Sequence, residues 1–146
     1  MPALFSGGCR CGAVRYACGA EPMQTMHCFC TDCQKLSGAQ MSTNLLVPKK
    51  ALRLTQGTPA HYMTVGDSGH NVRRHFCNAC GSALWSEPAL LPDLAVIKAG
   101  SLDDSSWVRP EACIYLDSAP AWAVVPDGIP GFKRMPPKHM VPDLTY

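Results

Sequence analysis

A mostly-β single domain with little helix is what this chain spells out, on three grounds. Short runs rich in branched and aromatic residues recur between turn signals. Glycine (12) and proline (13) are spread throughout the 146 residues and punctuate those runs. Hydrophobic residues make up 47% and charged residues 16%, the balance of a globular chain long enough for one real core.

The runs that read as strands are "AVRYAC" (13–18), "STNLLVP" (42–48), "ALRLTQG" (51–57), "PAHYMTV" (59–65), "NVRRHFC" (71–77), "LAVIKAG" (94–100) and "ACIYLD" (112–117). "SALWSEP" is strand-like as well. Only "TDCQKLSG" (31–38) reads as a helix. Thr31 or Asp32 would cap it and Gly38 would end it after about two turns. Beyond Pro126 the proline-rich segment 127–146 reads as an irregular wrap, so that 1–146 forms one domain.

Composition argues against two kinds of partner. The formal net charge is +2, with no block of like charges, which leaves no electrostatic footprint for a nucleic acid or an anionic membrane. No apolar stretch approaches the roughly 20 residues of a membrane span. The opening "MPALFSGG" has neither a basic leader nor a long apolar core, so the expected address is the cytoplasm. Thiols stay reduced there, and nine cysteines, an odd number, fit a disulfide framework poorly. Clustered cysteines in a reducing compartment point to metal.

Seven of the nine cysteines fall in three groups: Cys9 and Cys11 in "GGCRCG", Cys28, Cys30 and Cys33 in "HCFCTDC", and Cys77 and Cys80 in "FCNACG". Two sulfurs on one zinc sit roughly 3.8 Å apart, the edge of a tetrahedron with bonds of about 2.3 Å. The Cys77–Cys80 turn brings sulfurs that close, and Gly81 can take the positive φ that releases the chain. A redox pair would call for a helix after the motif, which "SALWSEP" is not. Cys9 and Cys11 share one side of an extended chain, about 6.6 Å apart at Cα. Gly7, Gly8 and Gly12 allow the bend that lets their sulfurs lean together. Two pairs supply the four ligands of a closed structural zinc site. Closing the loop of about 65 residues between Cys11 and Cys77 costs about 4 kcal/mol. A structural zinc contributes on the order of 10 kcal/mol or more, so the metal wins.

Cys28, Cys30 and Cys33 remain. Three protein ligands with an open fourth position are the pattern of a catalytic zinc. His27 or Cys113 as a fourth ligand would instead make this site structural too. Cys18 and Cys113 lie in apolar strand-like runs, which predicts buried, unreactive thiols.

With these clusters in place, the sequence resembles the glutathione-dependent formaldehyde-activating enzyme family, the CENP-V/GFA domain. The likeness runs from about Gly7 to Phe132 through "GGCRCGAVRY", "HCFCTDCQKLSGA", "RHFCNACGSAL", "KAGSLDD" and "PAWAVVPDGIPGF". It implies an Mss4-like fold, a twisted β-sheet domain holding two zinc ions per chain. It implies a structural zinc on Cys9, Cys11, Cys77 and Cys80, and a catalytic zinc on Cys28, Cys30 and Cys33. It implies condensation of glutathione with formaldehyde to S-hydroxymethylglutathione, the work of a carbon–sulfur lyase whose partners are a small thiol and an aldehyde. Two departures stand out. Many relatives read Cys-His-Cys where this chain has Cys28-Phe29-Cys30, and many carry a histidine in the segment "RPEACIYL", where Cys113 stands.

Within that expectation His27 is the candidate catalytic residue, as a proton shuttle or a hydrogen-bond donor to a bound sulfur. Arg10, Lys35, Arg73 and Arg74 lie near ligands in sequence and could meet the carboxylates of glutathione. The commoner fate of each is an ordinary solvated charge. Trp122 is expected to pack in the core. The rival reading is a non-catalytic, zinc-stabilised binding module, since a fold by itself does not decide function.

Overall fold

The computed structural model describes residues 2–138. Strand accounts for 39% and helix for 12%, so the mostly-β class holds. Ten strands form two sheets. The smaller is antiparallel and runs β1 (Phe5–Gly8), β2 (Arg15–Cys18), β5 (Leu52–Gln56). The larger has seven strands in the order β10 (Ala112–Ile114), β3 (Gln24–Cys28), β4 (Ser42–Pro48), β9 (Leu94–Lys98), β8 (Ala83–Pro88), β7 (Asn71–Phe76), β6 (Ala60–Val65). All its pairings are antiparallel except β10 with β3.

β4 shows how the sequence builds the layers. Side chains alternate across a strand, and in "STNLLVP" both faces are apolar. Leu45 and Val47 enter a core with Tyr16 and Cys18 of the small sheet and with Trp85 and Ile97. Leu46 enters a second core on the far face with Met26, Cys28, Cys33, Leu94 and Ile114. A strand buried on both faces needs cover on both. The small sheet covers one face, and the only α-helix among the described residues, α1 (Thr31–Ser37), contributes Cys33 to the other.

Two strands escape the sequence pattern. β1 is "FSGG", whose glycines read as turn. It forms a strand by antiparallel pairing with β2, and position 7 is glycine because a side chain there would collide with the Tyr16 hydroxyl and the Ser101 carbonyl, each 2.4 Å from where its Cβ would lie. β3, "QTMHC", has little branched or aromatic content and is held by partners on both sides. The expected strand at 112–117 stops at Ile114, because Tyr115 takes a left-handed conformation with φ of 57°.

The α1 cap also differs from expectation. The N-cap is Cys30, whose sulfur accepts from the Cys33 N–H at 3.3 Å, displacing Thr31 and Asp32 from that role. Gly38 ends the helix as expected, with φ of 66° and its N–H bonded to the Gln34 carbonyl. Trp122, expected in the core, is 67% exposed. It sits in the turn after Pro120, outside both apolar clusters.

Residues 127–137 form no helix and, apart from an isolated bridge of Gly131 to Cys113, no strand. The Cys113 N–H bonds to the Pro130 carbonyl and the Phe132 N–H to the Cys113 carbonyl, laying this segment along β10. The remainder of the expected wrap, 139–146, including His139, lies outside the described residues. No helix among the described residues is long and apolar enough to cross a membrane.

Candidate metal centres

The first centre joins two turns. β1 ends at Gly8, and the chain bends through Cys9–Gly12, closed by the Gly12 N–H on the Cys9 carbonyl at 3.2 Å. Cys9 and Cys11 therefore sit on a turn and not on the extended segment that their spacing suggested. β7 ends at Phe76, and the Cys77 carbonyl accepts from the Gly81 N–H at 2.7 Å. Gly81 has φ of 77°, the conformation expected of it. The Arg10 N–H bonds to the Ser82 hydroxyl at 3.0 Å and ties the two turns together.

All four sulfurs of Cys9, Cys11, Cys77 and Cys80 lie within 4.8 Å of one another. Cys9 to Cys11 is 3.6 Å and Cys11 to Cys77 is 3.8 Å, close to the edge of a zinc–sulfur tetrahedron. Cys9 and Cys77 are buried, whereas Cys11 and Cys80 are exposed. Backbone and hydroxyl donors favour the thiolate at Cys9 and Cys80, whereas Cys11, despite the Ala13 backbone donor, is pushed up to about 11 by Cys9 beside it. The Val14 N–H, 3.2 Å from the Cys9 sulfur, draws that thiol down. The Ser82 hydroxyl and then its N–H draw Cys80 down to about 5.

The second centre is local. Cys28 ends β3, Cys30 caps α1 and Cys33 lies in its first turn. Their sulfurs also lie within 4.8 Å of one another. Cys28 and Cys33 are 5% and 4% exposed, and Cys30 is half-buried. Hydrogen bonding from Cys28 and then Cys30 draws Cys33 down to about 3, with the charges of Lys98 and Arg74 adding to it. The same contacts and burial push Cys28 far up. Three crowded sulfurs thus share their protons as a unit, and a cation is what would let all three ionise.

The two residues considered as a fourth ligand do not join the trio. His27 precedes Cys28 on β3, and Cys113 pairs with His27 in register. Alternation sends both side chains to the face opposite Cys28. Cys113 is 1% exposed and Cys18 is fully buried, as their apolar surroundings predicted. Phe29, between two trio cysteines, is fully buried. His27 Nδ1 lies 2.8 Å from the Thr43 hydroxyl, and burial lowers its pKa. Its ring lines an open cleft of about 940 Å³ together with Cys9, Arg10, Thr43 and Ser101.

A smaller cavity of about 150 Å³ is lined by Tyr62, Arg74, His75, Trp85 and Lys98 among others. Lys98 lines both spaces: the large cleft borders the first centre, and Lys98 together with Arg74, which lines the small cavity, acts electrostatically on the second. Arg74 corrects the expectation of a solvated charge. Its side chain is 12% exposed, its Nη2 lies 3.6 Å from Asp32, and its Nε donates to Thr64 at 2.9 Å. Arg10, Lys35 and Arg73 are exposed.

Sequence reasoning missed two neighbours of the trio. Lys98 is 8% exposed, and its Nζ donates to Asn44 Oδ1 at 3.0 Å. Tyr115 packs against the same apolar cluster as Cys30, and its hydroxyl donates to Asp67 at 3.2 Å. Its left-handed backbone could not be read from "ACIYLD". Lys98 left one trace, as the single charge in the apolar run "LAVIKAG". The remaining histidines stand apart. His75 stacks on Trp85 with ring centroids 4.7 Å apart, 5.8 Å from the ring of its cross-strand neighbour His61. His70 folds back on Ser68 in a turn.

Comparison with known proteins places these features. The profile of the glutathione-dependent formaldehyde-activating enzyme family matches residues 4–118. A Halomonas elongata protein named for glutathione-dependent formaldehyde activation is 28% identical, over 84% of this chain and 81% of its own length. A crystal structure of a Rhodobacter sphaeroides protein superposes with a TM-score of 0.57 at 19% identity, over 86% of this chain and 98% of that one. That likeness supports the fold alone.

Proposed function

The chain belongs to the glutathione-dependent formaldehyde-activating enzyme family, and from that premise we propose that it joins a small thiol to an aldehyde at the Cys28–Cys30–Cys33 centre. Glutathione and formaldehyde are the pair that the family name suggests. The product is the hemithioacetal: a carbon–sulfur bond forms, and the proton lost from sulfur ends on the former carbonyl oxygen. Run in reverse, the same step is a carbon–sulfur lyase reaction. The observation that carries the reading is the second cluster itself, three sulfurs with no fourth protein ligand among the described residues.

An all-sulfur donor set suits zinc. Cys9, Cys11, Cys77 and Cys80 would hold a structural ion in an Mss4-like domain, and Cys28, Cys30 and Cys33 a catalytic one. Bound at the trio, zinc supplies deprotonation of an incoming thiol. The residues of the chain do the rest. The Cys33 N–H on Cys30 holds one ligand in place. Lys98 and Arg74 supply positive charge on the side of Cys33. His27, the candidate proton carrier, faces the large cleft on the opposite side of β3, which none of the trio cysteines lines, so among the described residues no contact joins it to the centre. Burial lowers its pKa, Thr43 engages Nδ1, and Nε2 has no hydrogen-bond partner among the described residues.

The test is direct. Glutathione and formaldehyde are mixed with and without the zinc-loaded protein, and adduct formation is followed. The expected result is a rate well above the spontaneous one. Equality of the two rates at micromolar protein would remove this substrate pair, and equality across small thiols and aldehydes would favour the non-catalytic binding module.

A further inference from the structure

We propose that Lys98 is the fixed countercharge of the trio, a positioning residue whose ammonium sets how tightly Cys28, Cys30 and Cys33 hold a dication. The proposal rests on reading the trio as a metal centre. An ammonium removed from water is costly unless an opposite charge faces it. Lys98 is 8% exposed, and among the described residues no carboxylate pairs with it. Its partner is Asn44 Oδ1, which also accepts from the Ser42 hydroxyl at 2.8 Å. An amide oxygen aims a cation but does not balance it.

The sulfurs supply the balance. Cys28 pairs with Ser42, and Asn44 pairs with Lys98. Alternation then puts Cys28, Ser42, Asn44 and Lys98 on one face of three adjacent strands. Burial lowers the Lys98 pKa, and the charges of Cys33, Cys28 and Cys30 oppose that shift. Arg74, the other cation acting on Cys33, is already engaged by Asp32 and Thr64. Three thiolates around one Zn²⁺ leave a charge of −1, and Lys98 cancels it. Without that cancellation a mostly buried centre would carry net charge where the medium screens poorly. The first centre has a different answer to the same problem. Four thiolates around Zn²⁺ leave −2, and two of those sulfurs, Cys11 and Cys80, face water.

The experiment titrates zinc on the full chain against a chromophoric chelator, resolving the two sites by ligand variants of each. Lys98→Met removes the charge at similar length, and Lys98→Arg keeps it. The expected result is a trio affinity weaker by roughly tenfold to hundredfold in Lys98→Met. Lys98→Arg should stay within about threefold of the parent, and the quartet should not change in either variant. A Lys98→Met trio that binds like the parent overturns the proposal. So does a Lys98→Arg trio that falls as far as Lys98→Met, which would make shape and not charge the cause. Should Lys98→Met fail to fold, Asn44→Ala replaces it. Loosening the ammonium should weaken the trio by roughly tenfold, and an affinity within about threefold of the parent overturns the proposal. The readout is metal affinity, so it does not depend on the aldehyde reaction. A parent chain whose trio takes no zinc sinks the metal-centre reading and this proposal together, whereas a parent that binds zinc with Lys98 indifferent sinks only the latter.

Discussion

The two cysteine centres use the same donor atom and are built in opposite ways. The quartet gathers sulfurs from turns 66 positions apart, and half of its ligands lie in water. The trio comes from one strand–helix junction, and two of its three sulfurs are nearly sealed. Apart from sulfur, the contact between the quartet's turns is slight: one backbone N–H on one serine hydroxyl. The trio is already held by β3 pairing on both sides and by the α1 cap. The lesson is that metal at the quartet would tie together two turns that otherwise meet through the buried Cys9 and Cys77, whereas metal at the trio would be received by a junction already built. On the proposed reading one ion is coupled to folding and the other to chemistry.

The largest effect expected from that contrast is on stability. Cys80→Ser removes an exposed ligand from the quartet, and little else holds the 77–80 turn to the 9–11 turn. Loss of several kcal/mol is expected, a fall in the melting temperature on the order of 10 °C for a domain of this size. Thermal melts of the zinc-loaded variant and parent give the answer. A variant melting with the parent would break the contrast at its root, by showing that the quartet does not clamp the chain.

Cys30→Ser is the complementary change, with its effect in rate. Cys30 serves both as a trio sulfur and as the N-cap of α1. Serine is among the better N-cap residues, so the helix keeps its cap while the centre loses a thiolate. The enzyme-dependent rate should fall about hundredfold, with the melting temperature within about 3 °C of the parent. Adduct formation above the spontaneous background and a thermal melt are read on the same sample. A variant that unfolds like Cys80→Ser would make the trio a second structural site.

Much of this contrast is legible in the sequence, because ligand chemistry is local. Cys77-x-x-Cys80 followed by Gly81 specifies a turn and its φ > 0 exit in five residues. Cys28, Cys30 and Cys33 lie close together whatever the rest of the chain does. Strands with branched apolar runs, such as "STNLLVP", are legible for the same reason. What depends on distant partners is not. β1 is a strand because β2 pairs with it, and its glycine is there because Tyr16 and Ser101 leave room for no side chain at position 7. β3 is one because β4 and β10 pair with it. Trp122 carries the composition of a core residue but lies in a turn where it is exposed among the described residues. Arg74 and Lys98 look like solvent-facing charges until cross-strand register sends them under α1 toward the trio. The charge around a metal centre is set by tertiary pairing, whereas its ligands are set by spacing.

The smallest effect belongs to the ion pair beside the quartet. Arg15 Nη1 donates to Asp103 Oδ1 at 2.8 Å, and the Ser6 hydroxyl donates to Oδ2 at 2.7 Å, tying β1 and β2 to the loop after Ser101. The Arg15 guanidinium, and then Ser6, pull the Asp103 carboxyl down to about 2. A carboxyl with a depressed folded pKa stabilises above its unfolded value, near 4, and loses that contribution as pH falls toward its folded value. The side chains are 33% and 45% exposed, so water screens the pair and its worth stays at or below about 1 kcal/mol. Asp103→Asn should therefore lower the melting temperature at pH 7 by no more than about 3 °C. The gap between variant and parent should close as the pH falls from about 4 toward 2. Acid also strips zinc from the thiolates, but it does so in both chains, and the gap between them still isolates the carboxylate. A deficit much beyond 3 °C would mean that this pair shares the clamping assigned to the quartet's metal, and the contrast between the two centres would narrow accordingly.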